Sequence, residues 1–406
     1  MRPVAASPLP WGVGMQPRNQ FQSPVAGPEA TNPYPIWERI RSSEKVAELP
    51  VPGDRRSFWV TTWAGAEQVL RDAPRFSSSI NYETVGPMMG KTILAMDGEE
   101  HRRYRDLVAK AFRPSSLARW GEELIAPTVD SLLDRIVPKG RAELVSELTH
   151  AYPVQIIAAI LGVPVEDYDQ FQRWAEGINH GPTDPSKSVP ASRAMTAYLE
   201  PIVADRRAHP RGDLISELVH AEVEGHRLDD DHLYGFLRLL LPAGAETTYR
   251  ALGNLLAALL THPEAMERVR KDRELVPAAV EETLRWETSV TMVNRLATED
   301  AEVEGVRIPA EASVLVALGS ANHDPARYDR PDEWDLDRPP RPHLAFGTGR
   351  HQCLGMHLAR LELRIALNAV LDRLPGLRLD PDYPPPEPVG FAFRSPNELH
   401  VLFDRA

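Results

Sequence analysis

The chain has one cysteine, Cys353, and it stands in the run HLAFGTGRHQCLG, residues 343–355. Gly349 lies four residues before it and Gly355 two after. Glycines let a backbone approach a flat partner where a Cβ would clash. A helix is predicted from about Leu354 to Leu374, so its positive N-terminal end faces the sulfur and favours the ionised thiolate that ligates metals. Backbone N–H groups at that end can hydrogen-bond the sulfur and tune a bound metal. Outside such a setting a lone cysteine behaves as a small buried hydrophobe. Three further spacings carry chemistry. His101 and Arg105, four apart, share a helix face and can donate to an anionic group. Glu282 and Arg285, three apart, can pair on one face. Ala243 and Gly244 precede Glu246 and Thr247 by one turn, which puts a hydroxyl and a carboxylate next to small residues; the competing role for such a threonine is back-bonding to a carbonyl one turn earlier.

The elements that must position these residues are mostly helical. Helical patterns are predicted at Trp37–Glu48, Gly65–Ala73, from Glu99 through LARWGEELIAPTVDSLLDRIV, at Ala191–Arg207, Asp213–Glu224, Asp230–Leu260 and Leu275–Trp286. Strands are predicted at Phe58–Thr62, in the runs VEGVRIP and SVLVAL between 290 and 316, and in the terminal ELHVLF. Residues 1–35 read as an irregular segment, and residues 76–94 as a loop. Pro242 is predicted to bend its helix. At 42% hydrophobic residues the 406-residue chain can bury a large core, and it reads as one mainly α domain over 1–406 with a small β subdomain. A net charge of −12 argues against nucleic-acid binding. One cysteine excludes an internal disulfide and suits a reducing, cytoplasmic setting. No apolar run reads as a membrane span, and the N-terminus does not read as a signal peptide.

The Phe346, Gly349, His351, Cys353, Gly355 pattern resembles the haem-binding loop of the cytochrome P450 family. Other segments match in order over roughly residue 60 to the C-terminus. EETLR resembles the family's Glu-x-x-Arg, with Arg338 in WDLDRP as the later arginine that locks to it. LLPAGAETTYRAL resembles the central helix crossing the distal haem face, with Pro242 as a departure. MDGEEHRRYRDLV resembles the helix with His and Arg four apart. The resemblance implies a P450-like fold with haem b, iron protoporphyrin IX, between a long distal helix and the proximal cysteine loop and helix.

Several residue roles follow from that resemblance. Cys353 is the expected iron ligand. His101, Arg105, Arg295 and His343, joined by His351, are the expected propionate contacts. Ala243 and Gly244 clear space for O2, and Glu246 and Thr247 form the proton path. The implied reaction puts one oxygen atom of O2 into a small organic substrate. Electrons are expected from NAD(P)H through a separate ferredoxin and ferredoxin reductase, since the chain shows no C-x-x-C cluster and no convincing dinucleotide fingerprint. Arg102, Arg103, Lys110, Arg113, Arg350 and Arg360 are candidates for docking that partner. Met88, Met89, Ile93, Val290, Met292, Val293, Phe391 and Phe393 point to a largely apolar cavity. Fatty acid, terpene, steroid, aromatic acid and polyketide substrates are all compatible with it. Two rival readings are a peroxide-driven enzyme, whose relatives commonly replace the acid–Thr pair present here, and a haem sensor without turnover, which would not need that pair.

Overall fold

The computed structural model describes residues 31–49, 55–179, 181 and 184–405. Most of the expected irregular segment 1–35 lies outside these residues, and its end, Tyr34 and Pro35, already belongs to the helix Tyr34–Ser43. That helix is shorter than expected, because Val46–Leu49 leaves it to pair antiparallel with Ser57–Val60.

The helix Thr247–Thr261 forms the centre of the helical body. Every residue from Thr248 to Leu260 is buried, as expected for a segment apolar nearly all round. It packs against Val276–Trp286 and Met356–Arg373. The β part is a five-stranded sheet in the order Val46–Leu49, Ser57–Val60, Ser313–Val316, Val293–Ala297, Phe76–Ser77. Ser57–Val60 and Ser313–Val316 run parallel, and the other pairs are antiparallel. Arg295 sits opposite Val314 in this ladder, so the sheet fixes the backbone of one expected site residue. The terminal strand His400–Leu402 pairs with Arg141–Glu143 and Arg378–Leu379.

Two elements differ from expectation. The predicted single helix over 230–260 is an α-helix Asp230–Leu240, a wider π-type segment Leu241–Glu246, and then Thr247–Thr261. Pro242 has no N–H to donate and crowds the carbonyl four residues earlier, so the ladder opens there. Within the expected loop 76–94, Asn81–Met89 is helical despite Pro87. Burial of Met88 and Met89 in the main core outweighs the weak local preference.

Glu282 accepts from Arg285 Nε and Nη2 at 2.9 and 2.7 Å and from Arg338 Nε at 2.9 Å. The three side chains are 5%, 3% and 8% exposed. The sequence spacing therefore marks a buried triad that ties the helix Val276–Trp286 to the irregular segment around residue 338.

Candidate active site

The Cys353 loop is held by its own backbone. Cys353 N–H donates to Phe346 O at 2.9 Å, and Gln352 N–H to Gly349 O at 3.2 Å. Gly349 has φ +74°, and a Cβ there would meet Leu70 O at 2.4 Å, so no other residue fits. Gly355 caps the helix Met356–Arg373. The Cys353 thiol is accessible. The dense protein around it pushes its pKa up, while the Gly355 N–H and the charges of Arg105 and Arg360 pull toward the thiolate. Phe346 carries the Arg360 guanidinium 4.5 Å from its ring.

A cationic cluster adjoins the loop. Arg105 Nη2 donates to Gln352 O at 2.6 Å. The His101 and His351 rings stand 4.0 Å apart. His351 Nε2 lies 3.4 Å from Asp97 Oδ1, and Asp97 is otherwise held by Ser77 and the Ser78 N–H. Arg295 is 6% exposed and donates to Asn294 O at 2.7 Å. Neither Arg105 nor Arg295 forms an ion pair with a carboxylate among the described residues, so Asp97 stands against two guanidinium groups and two imidazoles. Burial lowers Arg295 to about 10, which leaves it charged at neutral pH. Burial, with help from His351 and Arg105, lowers His101 to about 4, so its ring is neutral there. His101 Nε2 is buried without a partner. Two guanidinium groups withdrawn from water and faced by the single carboxylate of Asp97 create a demand for further negative charge.

His343, also expected among the propionate contacts, is engaged by Glu281. Its Nε2 lies 3.1 Å from Glu281 Oε2, and Arg360 grips the same carboxylate at 2.6 and 2.8 Å. Glu281, the residue before the buried triad, also engages Arg360, one of the expected docking cations. Arg102 pairs with Glu99, Asp106 and Glu224, and Arg113 with Glu217. Lys110 donates to Glu222 O. Arg103 and Arg350 form no ion pair among the described residues.

On the π-type segment Ala243 is exposed, while a Cβ on Gly244 would meet Ile157 Cδ1 at 2.6 Å. Gly244 therefore lets the helix Ala151–Leu161 approach closely. Thr247 Oγ1 donates to Ala243 O at 2.9 Å. Glu246 is buried at 3% exposure, paired with Arg250 Nε at 2.9 Å and with Tyr249 OH at 3.2 Å. The sequence reading missed this pair, although Arg250 follows Glu246 by four residues, the spacing of a helical ion pair. Asp97 was missed as well; its signal was an acid just before the His101 helix. Phe391, expected in the cavity, packs between Trp37 and Trp59 with centroids 5.9 and 5.6 Å away, so it is core.

The cytochrome P450 family model matches residues 186–398. The biotin biosynthesis cytochrome P450 of Bacillus subtilis is 34% identical over 92% of this chain and 96% of its own length. The chain is a cytochrome P450. The cytochrome P450 monooxygenase PikC of Streptomyces venezuelae is 36% identical to it, with 86% of each chain covered. Among solved structures, CYP109E1 from Bacillus megaterium in complex with testosterone superimposes with a TM-score of 0.84 at 31% identity, covering 92% of this chain and 99% of that one. P450BioI in complex with a hexadec-9Z-enoic acid ligated acyl carrier protein gives 0.82 at 33% identity, covering 92% and 98%.

This P450 is thus an oxidoreductase of the monooxygenase family, whose members carry haem. Its own residues fit that group. The thiol is accessible, a buried His101 nitrogen lacks a partner, and Arg105 and Arg295 lack carboxylates in a place where haem would bring two. No described helix is long and apolar enough to cross a membrane.

Proposed function

We propose that this P450 inserts one oxygen atom of O2 into a small, largely apolar organic substrate, by hydroxylation or a related oxidation. NAD(P)H supplies two electrons through a separate ferredoxin and ferredoxin reductase, and the second oxygen atom leaves as water. The observation that carries the reading is the accessible Cys353 thiol beside an under-neutralised cluster of His101, Arg105, Arg295 and His351. Cys353 would ligate the iron, and that cluster would hold the two propionates through charge-assisted hydrogen bonds. Bound there, haem b supplies oxygen activation and the oxidising power.

The protein's part is positioning and proton control. Thr247 can turn its hydroxyl from Ala243 O toward the space beside Ala243. There it can donate a hydrogen bond and hold a water. Glu246 can supply protons by loosening its hold on Arg250 or by passing them through Tyr249 OH. Its pairing makes proton delivery a gated step, which protects against premature protonation. The retained Glu246–Thr247 pair favours O2-driven turnover over the peroxide-driven and sensor readings. The exposed cations Arg103 and Arg350 are the free candidates for meeting an acidic ferredoxin. A cytoplasmic location fits the single free thiol.

The test is NAD(P)H-dependent oxidation of a library of apolar compounds with a surrogate ferredoxin and its reductase. Product formed only when donor, both partners and O2 are present supports the reading. Equal product from hydrogen peroxide alone would favour the peroxide-driven alternative, and binding without product would favour the sensor.

A further inference from the structure

Arg238 belongs to the helix Asp230–Leu240, which runs directly into the segment carrying Ala243 and Thr247. Its guanidinium is half-buried where this helix meets Asn81–Met89 and Pro185–Ala208. Both of its donated hydrogen bonds go to neutral oxygens: Nη2 to Met89 O at 2.9 Å and Nη1 to Thr196 Oγ1 at 3.4 Å. Nε is buried and has no partner. No carboxylate among the described residues lies within ion-pair distance of the group. The acid that most influences it, Asp231, is exposed and two turns back on the same helix. Space is open beside it. A Cβ built on Gly90 would find Nη2 at 3.5 Å and no other described residue within 4 Å, its chain neighbours aside.

An arginine withdrawn from water without a counter-charge is costly, and the cost is relieved by a carboxylate that can take its planar fork. A purely structural tie between Met89 and Thr196 would need neither the charge nor an unfilled Nε–H. Met89, whose carbonyl oxygen Arg238 holds, is one of the residues expected to line the apolar cavity, and the Arg238 helix runs on into the segment carrying Ala243 and Thr247. We infer that Arg238 is a specificity-determining residue that binds the carboxylate of an amphipathic, long-chain substrate within the substrate cavity. This rests on the monooxygenase reading of the same site and adds the substrate class to it. Arg238 and Thr247 are nine positions apart, roughly 13 Å along the axis at an α-helical rise. The oxidised carbon therefore lies well along the apolar chain, remote from the carboxylate.

Dodecanoic acid, methyl dodecanoate and dodecanol separate charge from chain length. Their affinities for the haem-loaded protein are measured by equilibrium dialysis, which does not depend on turnover or on the haem spectrum. The wild type should bind the acid roughly tenfold to a hundredfold tighter than the ester or the alcohol, the range of a hydrogen bond to a charged group. Arg238→Gln should abolish that preference while leaving ester affinity unchanged, and Arg238→Lys should keep part of it. A wild-type acid-to-ester ratio near one overturns the assignment without requiring any variant. So does an Arg238→Gln protein that keeps the wild-type ratio, since the arginine would then only pin Met89 and Thr196. The carbon monoxide spectrum of the same preparation reports separately on the haem-thiolate reading, so the two failures are distinguishable.

Discussion

Replacing Glu282 with alanine removes the acceptor shared by Arg285 Nε, Arg285 Nη2, Arg338 Nε and the Asp335 N–H. Two guanidinium groups would remain at 3% and 8% exposure with no carboxylate. Breaking a buried pair by removing one partner costs about 3–5 kcal/mol. The lower end applies here, because backbone carbonyls continue to hold both cations. Arg285 still donates to Asn322, Pro331 and Glu333, and Arg338 to Asp329, Arg330 and Glu333. A loss of about 3 kcal/mol lowers the folded-to-unfolded ratio more than a hundredfold. Against a typical total of about 5–15 kcal/mol this is a large fraction. Urea unfolding followed by tryptophan fluorescence measures it, and Trp334, bonded to Thr283 beside the triad, lies at the perturbed site. Glu282→Gln keeps one acceptor oxygen and should lose less. A loss below about 1 kcal/mol for Glu282→Ala, the range of exposed ion pairs, would refute the view that this triad locks the fold.

Arg295→Ala should speed haem transfer to an acceptor protein roughly tenfold or more, since a buried charged donor to a carboxylate is removed; an unchanged rate takes Arg295 out of the site. Thr247→Ala should still consume NAD(P)H with its partners and substrate but give less product and more hydrogen peroxide per NAD(P)H; coupling equal to wild type would leave this threonine as a helix-packing residue bonded to Ala243. Glu281 is held at about 2, because Arg360 and His343 more than reverse the upward push of burial. A depressed carboxylate contributes stability above its ordinary 4.5 and loses it as the pH falls toward 2. Wild type and Glu281→Gln should therefore differ in stability at neutral pH and converge across that window, and a difference that is constant with pH would contradict the pairing.

The sequence was most informative where one local rule acts alone. The glycine-flanked Cys353, the Glu282–Arg285 spacing and the apolar run 247–260 could each be read because covalent geometry or helical period fixes them. Where several partners compete for one side chain, its place depends on long-range choices. His343 could have faced the cationic cluster or Glu281, and only the packing of Val276–Trp286 against Met356–Arg373 brings Glu281 and Arg360 to it. Gly244 lies against Ile157 of another helix, a contact that no local pattern announces. Asn81–Met89 looked like a loop because its helix depends on tertiary burial rather than propensity. Arg238 carried no local signal, since a missing counter-ion is visible only after folding.

The central claim is that Cys353 is the axial thiolate, and the most direct measurement is the absorption spectrum of the reduced, haem-loaded protein under carbon monoxide. The account predicts a Soret band strongly red-shifted from that of a histidine-ligated haem, and its loss in Cys353→Ala. A histidine-type band in the wild type, or a Cys353→Ala protein that keeps the red-shifted band, would contradict it.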